Sequence, residues 1–199
     1  LTQEVRILKL STLDPVDILT GFDITKRSDV RRVKRMISLY RPLMTHLAPK
    51  CRIFSNANQS VTQDEEFNYD MLLATHCAEI AKHAASLGLF VSVENPAKSR
   101  IWRLACYVQL HRMVGFHFLR ADMCMFGMRH SITKEAVWKG LEILTNAPWL
   151  DPISVRCDGK HKHTALEGAH TTRSAAYPSQ FCTAYANLLR KAPRTLREM

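Results

Sequence analysis

Cys51 stands between Lys50 and Arg52 in APKCRIFS (48–55), and Glu94 closes the apolar run of FVSVENP (90–96). A thiol flanked by two cations is drawn towards its thiolate, the form that attacks carbon, because both neighbours stabilise the negative charge. A carboxylate at the C-terminal end of a buried strand lies where open α/β sheets place their ligand crevice. One helix and one strand fit between the two positions, so consecutive sheet units would present a nucleophile and a proton donor to one flat substrate. Each residue also has a plainer role. Cys51 suits a small apolar site at a strand end, and Glu94 suits pairing with Lys98 or Arg100, or capping near Ser99.

A second constellation is Cys157-x3-His161-x-His163, with Cys124 in DMCMFG and His170 as further donors. Thiols and imidazoles at such spacing suit the corners of a tetrahedral zinc site. Asp158, Gly159, Lys160 and Lys162 equally describe an exposed basic turn. The other cysteines, Cys77, Cys106 and Cys182, fall on helix faces and are expected in the core. Trp102 and Trp149 read as packing residues, whereas Trp138, near Lys134 and Lys139, suits packing or base stacking.

The elements that must position these residues alternate along the first two-thirds of the chain. Val30, Val33, Met36, Ile37 and Tyr40 recur at three and four residues and predict a helix over 29–40, closed by Pro42. A short strand over 43–47 leads into the Cys51 turn, and a polar loop follows over 56–66. A second helix is predicted over 67–87 with Gly88 past its end, then a buried strand over 89–93 that delivers Glu94. Ser99 opens a third helix to about His111. A strand is predicted over 114–126 and a strand or ribbon over 136–144, then a loop-rich segment, then a last helix over 177–191 with Pro178 near its first turn. The fold class this implies is α/β, a Rossmann-like parallel sheet with helices on both faces and an irregular C-terminal part.

With 199 residues and 46% hydrophobic content, the chain can bury one substantial core, which favours a single domain. No apolar run approaches the roughly 20 residues needed to span a bilayer, and no signal peptide is visible, so no membrane partner is expected. Six scattered cysteines fit reduced thiols and an intracellular setting, nuclear or cytoplasmic. Because the first residue is Leu1, a piece of a longer or processed product is expected. The net charge of +10 is concentrated at Lys26, Arg27, Arg31, Arg32, Lys34, Arg35 and Arg41, and again at Arg190, Lys191, Arg194 and Arg197. Together these clusters favour a phosphate backbone over a merely solvated helix face. All seven glycines stand alone, so there is no Gly-rich phosphate loop.

APKCRIFS resembles the Pro-Cys loop of C5-cytosine DNA methyltransferases, with Phe54 and Ser55 in the places of the Phe-Ser pair that follows the cysteine. VENP resembles the Glu-Asn strand end of that family, and GFDIT (21–25) its acidic turn beside the adenine of S-adenosylmethionine. The order PVD, GFDI, AP-C, S, ENP, then DMCMFG, LTN, C-HKH-LEG and YPSQFC, is similar to a divergent branch found in retroelement polyproteins, over about 14–186. The resemblance implies one methyltransferase-like domain over 1–199 that is expected to lack the N-terminal cofactor-loop segment before Asp14. It implies that Cys51 adds to C6 of a flipped-out cytosine and that Glu94 hydrogen-bonds N3. Asp17 and Asp23 would bind S-adenosylmethionine, and DNA would be the partner. Lys50 departs from the pattern by replacing the second proline, and Leu119-Arg120 stands where a Gln-x-Arg-x-Arg segment is usual. The expected function is a divergent or truncated C5-cytosine methyltransferase-like domain, or an inactive nucleic-acid-binding or assembly module retaining its shell.

Overall fold

A computed structural model of the chain describes residues 1–55, 65–164 and 176–193. His170, Arg194, Arg197 and most of the polar 56–66 stretch lie outside them. The described helices are α1 (Thr2–Ile7), α2 (Arg27–Tyr40), α3 (Glu65–Ser86), α4 (Ala105–His111) and α5 (Ser179–Lys191). The strands are β1 (Met44–Leu47), β2 (Phe90–Pro96), β3 (His117–Asp122) and β4 (Gly140–Thr145). They hydrogen-bond in the order β1-β2-β4-β3. The fold is Rossmann-like α/β, as the alternation of elements predicts, with β1 and β2 parallel in a mixed sheet flanked by helices. The described residues gather into two compact units, one of 14–118 and 143–148, the other of 1–13, 119–142 and 149–192.

In the unit built on 14–118, α2 buries Val30, Val33 and Ile37 along one stripe. It ends at Arg41, whose left-handed backbone (φ 42°) turns its N–H onto the Ile37 carbonyl. Pro42 disfavours a helical conformation for the residue before it, so the chain leaves the helix there. Helix α3 buries Ala74, Ala78, Ala81 and Ala84, small side chains at helical spacing that let it lie close to β1 and β2. The Tyr107 hydroxyl of α4 donates to the Ala74 carbonyl at 2.9 Å, which fixes α4 against α3.

Strand β2 buries Phe90 to Val93 without interruption, the pattern of a strand covered on both faces. At the end of β4, the side chains of Thr145 and of Asn146 just beyond it extend its ladder onto β2. Thr145 donates to the Val91 carbonyl at 2.6 Å, and Asn146 Oδ1 accepts from the Val91 N–H at 2.7 Å. Asn146 Nδ2 also donates to Leu89 O at 3.1 Å. This gives the LTN motif a structural reason, since both polar side chains are buried and hydrogen-bonded.

Three expected elements differ. The strand predicted over 114–126 ends at Asp122, and Met123–Phe126 turns as a 3-10 helix closed by Gly127 (φ 80°). A side chain at Gly127 would be strained by that φ and would meet Gln180 at 3.2 Å. The helix predicted from Ser99 breaks at Leu104, which is extended, into a 3-10 turn Arg100–Arg103 and then α4. The strand predicted over 136–144 starts only at Gly140, while Ala136 makes isolated bridges to Arg129 and His163. Helix α1 was not predicted; Val5 is its buried residue, and it packs on α5 within its unit.

His46 on β1 hydrogen-bonds the Ser92 hydroxyl across the parallel pair at 2.8 Å. Burial pushes its imidazole down from 6.5 to about 4. The unfolded chain therefore takes up a proton near pH 6.5 that the folded chain refuses until about pH 4. The His46 contribution is fully present above pH 6.5 and lost progressively as pH falls towards 4. Thermal unfolding between pH 7.5 and pH 4 should show a decline in stability whose slope is smaller in His46→Gln. Equal slopes in the two proteins would refute the assignment.

Candidate functional site

The β1–β2 register pairs Leu47 with Val93, so Pro49 lies beside Asn95 two residues further along both chains. Asn95, fully buried, confirms that continuation by donating from Nδ2 to the Pro49 carbonyl at 2.9 Å. Its Oδ1 is buried with no hydrogen-bond partner among the described residues, a cost of aiming the amide at Pro49. Farther along, Arg100 Nη2 donates to the Ile53 carbonyl at 2.7 Å and to Ser55 O at 3.4 Å. The turn carrying Cys51 is thus fastened on either side of the cysteine to the segment that carries Glu94.

Cys51 precedes a 3-10 turn, Arg52–Phe54, whose Ile53 and Phe54 are buried, and is itself half-buried. Glu94 is half-buried near the C-terminal end of β2. Strand alternation puts it on the face of Ser92, opposite Val93 and Asn95. The structure therefore brings the two residues to one strand-end edge. The flanking cations, however, have partners of their own. Arg52 bonds Asp70 at 3.1 Å and pairs with Glu66, and Lys50 lies 5.2 Å over the Tyr69 ring.

Asp17 and Asp23 each hold a turn. Asp17 accepts from the Leu19 N–H at 2.9 Å and forms a reciprocal cap with Thr20. Asp23 accepts from the Thr25 hydroxyl at 2.6 Å and from its N–H at 3.1 Å. The Thr25 hydroxyl, foremost, holds the Asp23 carboxyl below its ordinary range.

The basic cluster on α2 is largely engaged within the chain. Lys26 pairs with Asp23, while Arg27 and Lys34 both grip Glu79 of α3. Burial alone would raise the Glu79 carboxyl, but the Lys34 and Arg27 bonds outweigh it and hold it low. Arg32 stacks 4.1 Å over Phe22, and Arg41 donates to Leu87 O at 2.7 Å. Arg31 and Arg35 are exposed, as are Lys26, Arg27, Arg32 and Arg41. Among the aromatics, Trp102 packs edge-on against Tyr107 and Phe118, and Trp138 lies 5.5 Å from the Arg120 guanidinium. Cys77 and Cys182 are buried as expected, and burial pushes the Cys77 thiol up to about 12.

In the other unit, Cys124, Cys157, His161 and His163 converge. One donor atom from each lies within 4.8 Å of every other, a cluster that could hold a metal ion. Cys157 Sγ is 3.7 Å from His161 Nε2 and 3.6 Å from His163 Nε2. Three features orient these donors. Asp122, itself buried, accepts from the Cys157 N–H at 2.8 Å and is braced by Arg120 Nε at 3.2 Å. The N–H of Gly159, in a left-handed turn (φ 71°), points at Cys157 Sγ from 3.4 Å. Asp158 Oδ1 lies 3.7 Å from His161 Nδ1, on the far side of that ring from Cys157. Burial, with Cys157 and Asp122 adding to it, pushes the Cys124 thiol up to about 11.

No protein-family model, curated protein or solved structure matches the chain. Among the described residues, no helix is long and apolar enough to cross a membrane.

The fasteners Asn95 and Arg100 were not singled out by sequence reasoning for this role. The one available signal was a polar Asn directly after a buried strand, in a parallel pair whose other strand runs into the cysteine turn. Asn95→Ala should destabilise the protein by about 1–3 kcal/mol, the usual cost of stranding a buried carbonyl partner. It should also raise the rate of Cys51 alkylation relative to Cys51 in the parent protein. Denaturant titration and timed thiol labelling check the two effects, and unchanged labelling would show that Asn95 does not hold the turn.

Proposed function

We propose that the chain is a divergent C5-cytosine methyltransferase-like domain that keeps the base-binding half of the site. The observation carrying this reading is the continuation of the β1–β2 register through Asn95 and Pro49, which sets Cys51 and Glu94 at one edge. In such a site the Cys51 thiolate forms a bond to C6 of a cytosine turned out of its duplex. The C5–C6 π electrons move into the ring towards N3, and Glu94 donates its proton there. The product is a covalent enamine whose C5 is nucleophilic. A methyl donor would then be attacked by C5. The residues present do not fit that donor: the carboxylates of Asp17 and Asp23, its expected contacts, are committed to closing their own turns.

A second reading, a catalytically inactive DNA-binding or assembly module, is favoured by the engagement of Arg52 and Lys50 away from the thiol. DNA oligonucleotides carrying 2-pyrimidinone, a cytosine analogue lacking the 4-amino group, separate the two because they trap an attacking thiolate without a methyl donor. A covalent adduct is expected, lost in Cys51→Ser and at least tenfold slower in Glu94→Gln. Salt-sensitive DNA binding with no adduct supports the module instead, and an adduct that survives Cys51→Ser overturns the role of Cys51.

For the cluster of Cys124, Cys157, His161 and His163, zinc is the ion that the donor set favours. Two thiolates neutralise its charge, and both imidazoles are borderline ligands. A tetrahedron with Zn–S near 2.3 Å and Zn–N near 2.0–2.1 Å has sulfur–nitrogen edges of about 3.6 Å. The separations of 3.6 and 3.7 Å match that edge. Elemental analysis of purified protein should find one zinc per chain, falling to none in Cys157→Ser; zinc-free parent protein would exclude it.

A further inference from the structure

We infer that this metal site is structural, and that its occupancy holds together the irregular segments 123–139 and 154–164, with Asp158 as a positioning residue. The inference rests on the zinc reading of the cluster and extends it to what the ion does. Four protein donors converge, so no coordination position is left for a substrate, which is the arrangement of a structural rather than a catalytic centre.

The segment around the donors has little regular structure of its own. Cys124 belongs to a single 3-10 turn, and Cys157, His161 and His163 lie on a loop. That loop is tied to the rest by scattered contacts. Ala136 bridges to Arg129 and to His163, and Thr164 N donates to Ala136 O at 2.9 Å. Asp122 N donates to Val155 O at 2.9 Å, and Met123 N to Lys139 O at 2.8 Å. Such isolated bonds lack the cooperativity of a ladder, and a four-ligand cross-link spanning them would supply it.

The donors are also supported from outside. The Gly159 N–H reaches Cys157 Sγ, stabilising negative charge on it, while Asp122 fixes the Cys157 backbone. Asp158 stands by the Nδ1 side of His161, leaving Nε2 for the ion. A carboxylate on that side favours the ring orientation that turns Nε2 to the ion. Asp158 is exposed, so its replacement does not threaten the core.

The test uses the full chain and the metal alone. Cobalt(II) exchanged for zinc should give the absorption of a tetrahedral ion with thiolate-to-cobalt charge transfer, and its absence would sink the zinc reading on which the inference stands. Given that signal, hydrogen exchange before and after chelation reads the structural role. Protection should fall at least tenfold in peptides from 123–139 and 154–164 and stay unchanged in α3 and β2. Protection that survives chelation in 123–139 and 154–164 overturns the structural role while leaving zinc binding intact. Competition with a chromophoric chelator should show Asp158→Asn binding zinc about tenfold more weakly, with the tetrahedral cobalt spectrum preserved. Unchanged affinity would remove Asp158 from the site.

Discussion

The pairing of β1 with β2 is the constraint on which the Cys51 site depends. A parallel register shifts only in whole residues, and a slip of one would turn every side chain of a strand to the opposite face. With Leu47 set against Val93, Asn95 meets Pro49 and Glu94 faces away from Asn95. The buried amide of Asn95 reinforces this register, since any other alignment would strand two polar groups inside the protein. Arg100 repeats the fastening past the cysteine, and it reaches the Ile53 carbonyl from the tight 3-10 turn that replaces the expected helix start. The break at Leu104 thus places an arginine where a continuous helix from Ser99 would have carried it elsewhere.

Electrostatics read from composition overstate what the surface offers to a ligand. Among the basic residues of the α2 region, Arg27 and Lys34 converge on Glu79, and Lys26 serves the Asp23 turn. Each such pair spends a positive charge on holding α2 to its neighbours or on closing a loop. Arg31, Arg32, Arg35 and Arg41 stay exposed, a smaller cationic footprint than the whole cluster suggests. A similar economy applies to the acids. Asp17 and Asp23 follow the rule that short carboxylates favour bonds to their own backbone, which is why turns select them.

How legible the molecule was in its sequence follows from how local each determinant is. Helix α2 announced itself through Val30, Val33 and Ile37, and β2 through its unbroken apolar run, because burial periodicity is written residue by residue. The segment 114–126 misled because apolar and aromatic content reports burial, not conformation. Met123, Cys124 and Phe126 are indeed buried, but on a turn closed by Gly127. The Cys and His donors were legible as types. The four named together from their spacing, Cys124, Cys157, His161 and His163, do converge, but the support of Asp122 for Cys157 was not legible, because it reaches across from far away in the sequence. Asn95 and Arg100 were hidden for the same reason: their carbonyl partners belong to a turn brought near only by strand pairing.

The two chemistries sit in surroundings that support them by different means. The unit carrying Cys51 has an extensive apolar core, from Val30 and Ile37 through the alanine face of α3 to Tyr107 and Leu110, and needs no cross-link to hold a strand end. Beside the cluster of Cys124, Phe126 of the same turn stacks edge-on to Phe181 at 5.3 Å. On the loop that supplies the other three donors, residues 156–163 are exposed or half-buried. A loop with so little apolar burial gains little from the hydrophobic effect to offset the entropy of ordering it. Ligation would be a local source of free energy that does not require burial, and three of the four donors lie on such a loop.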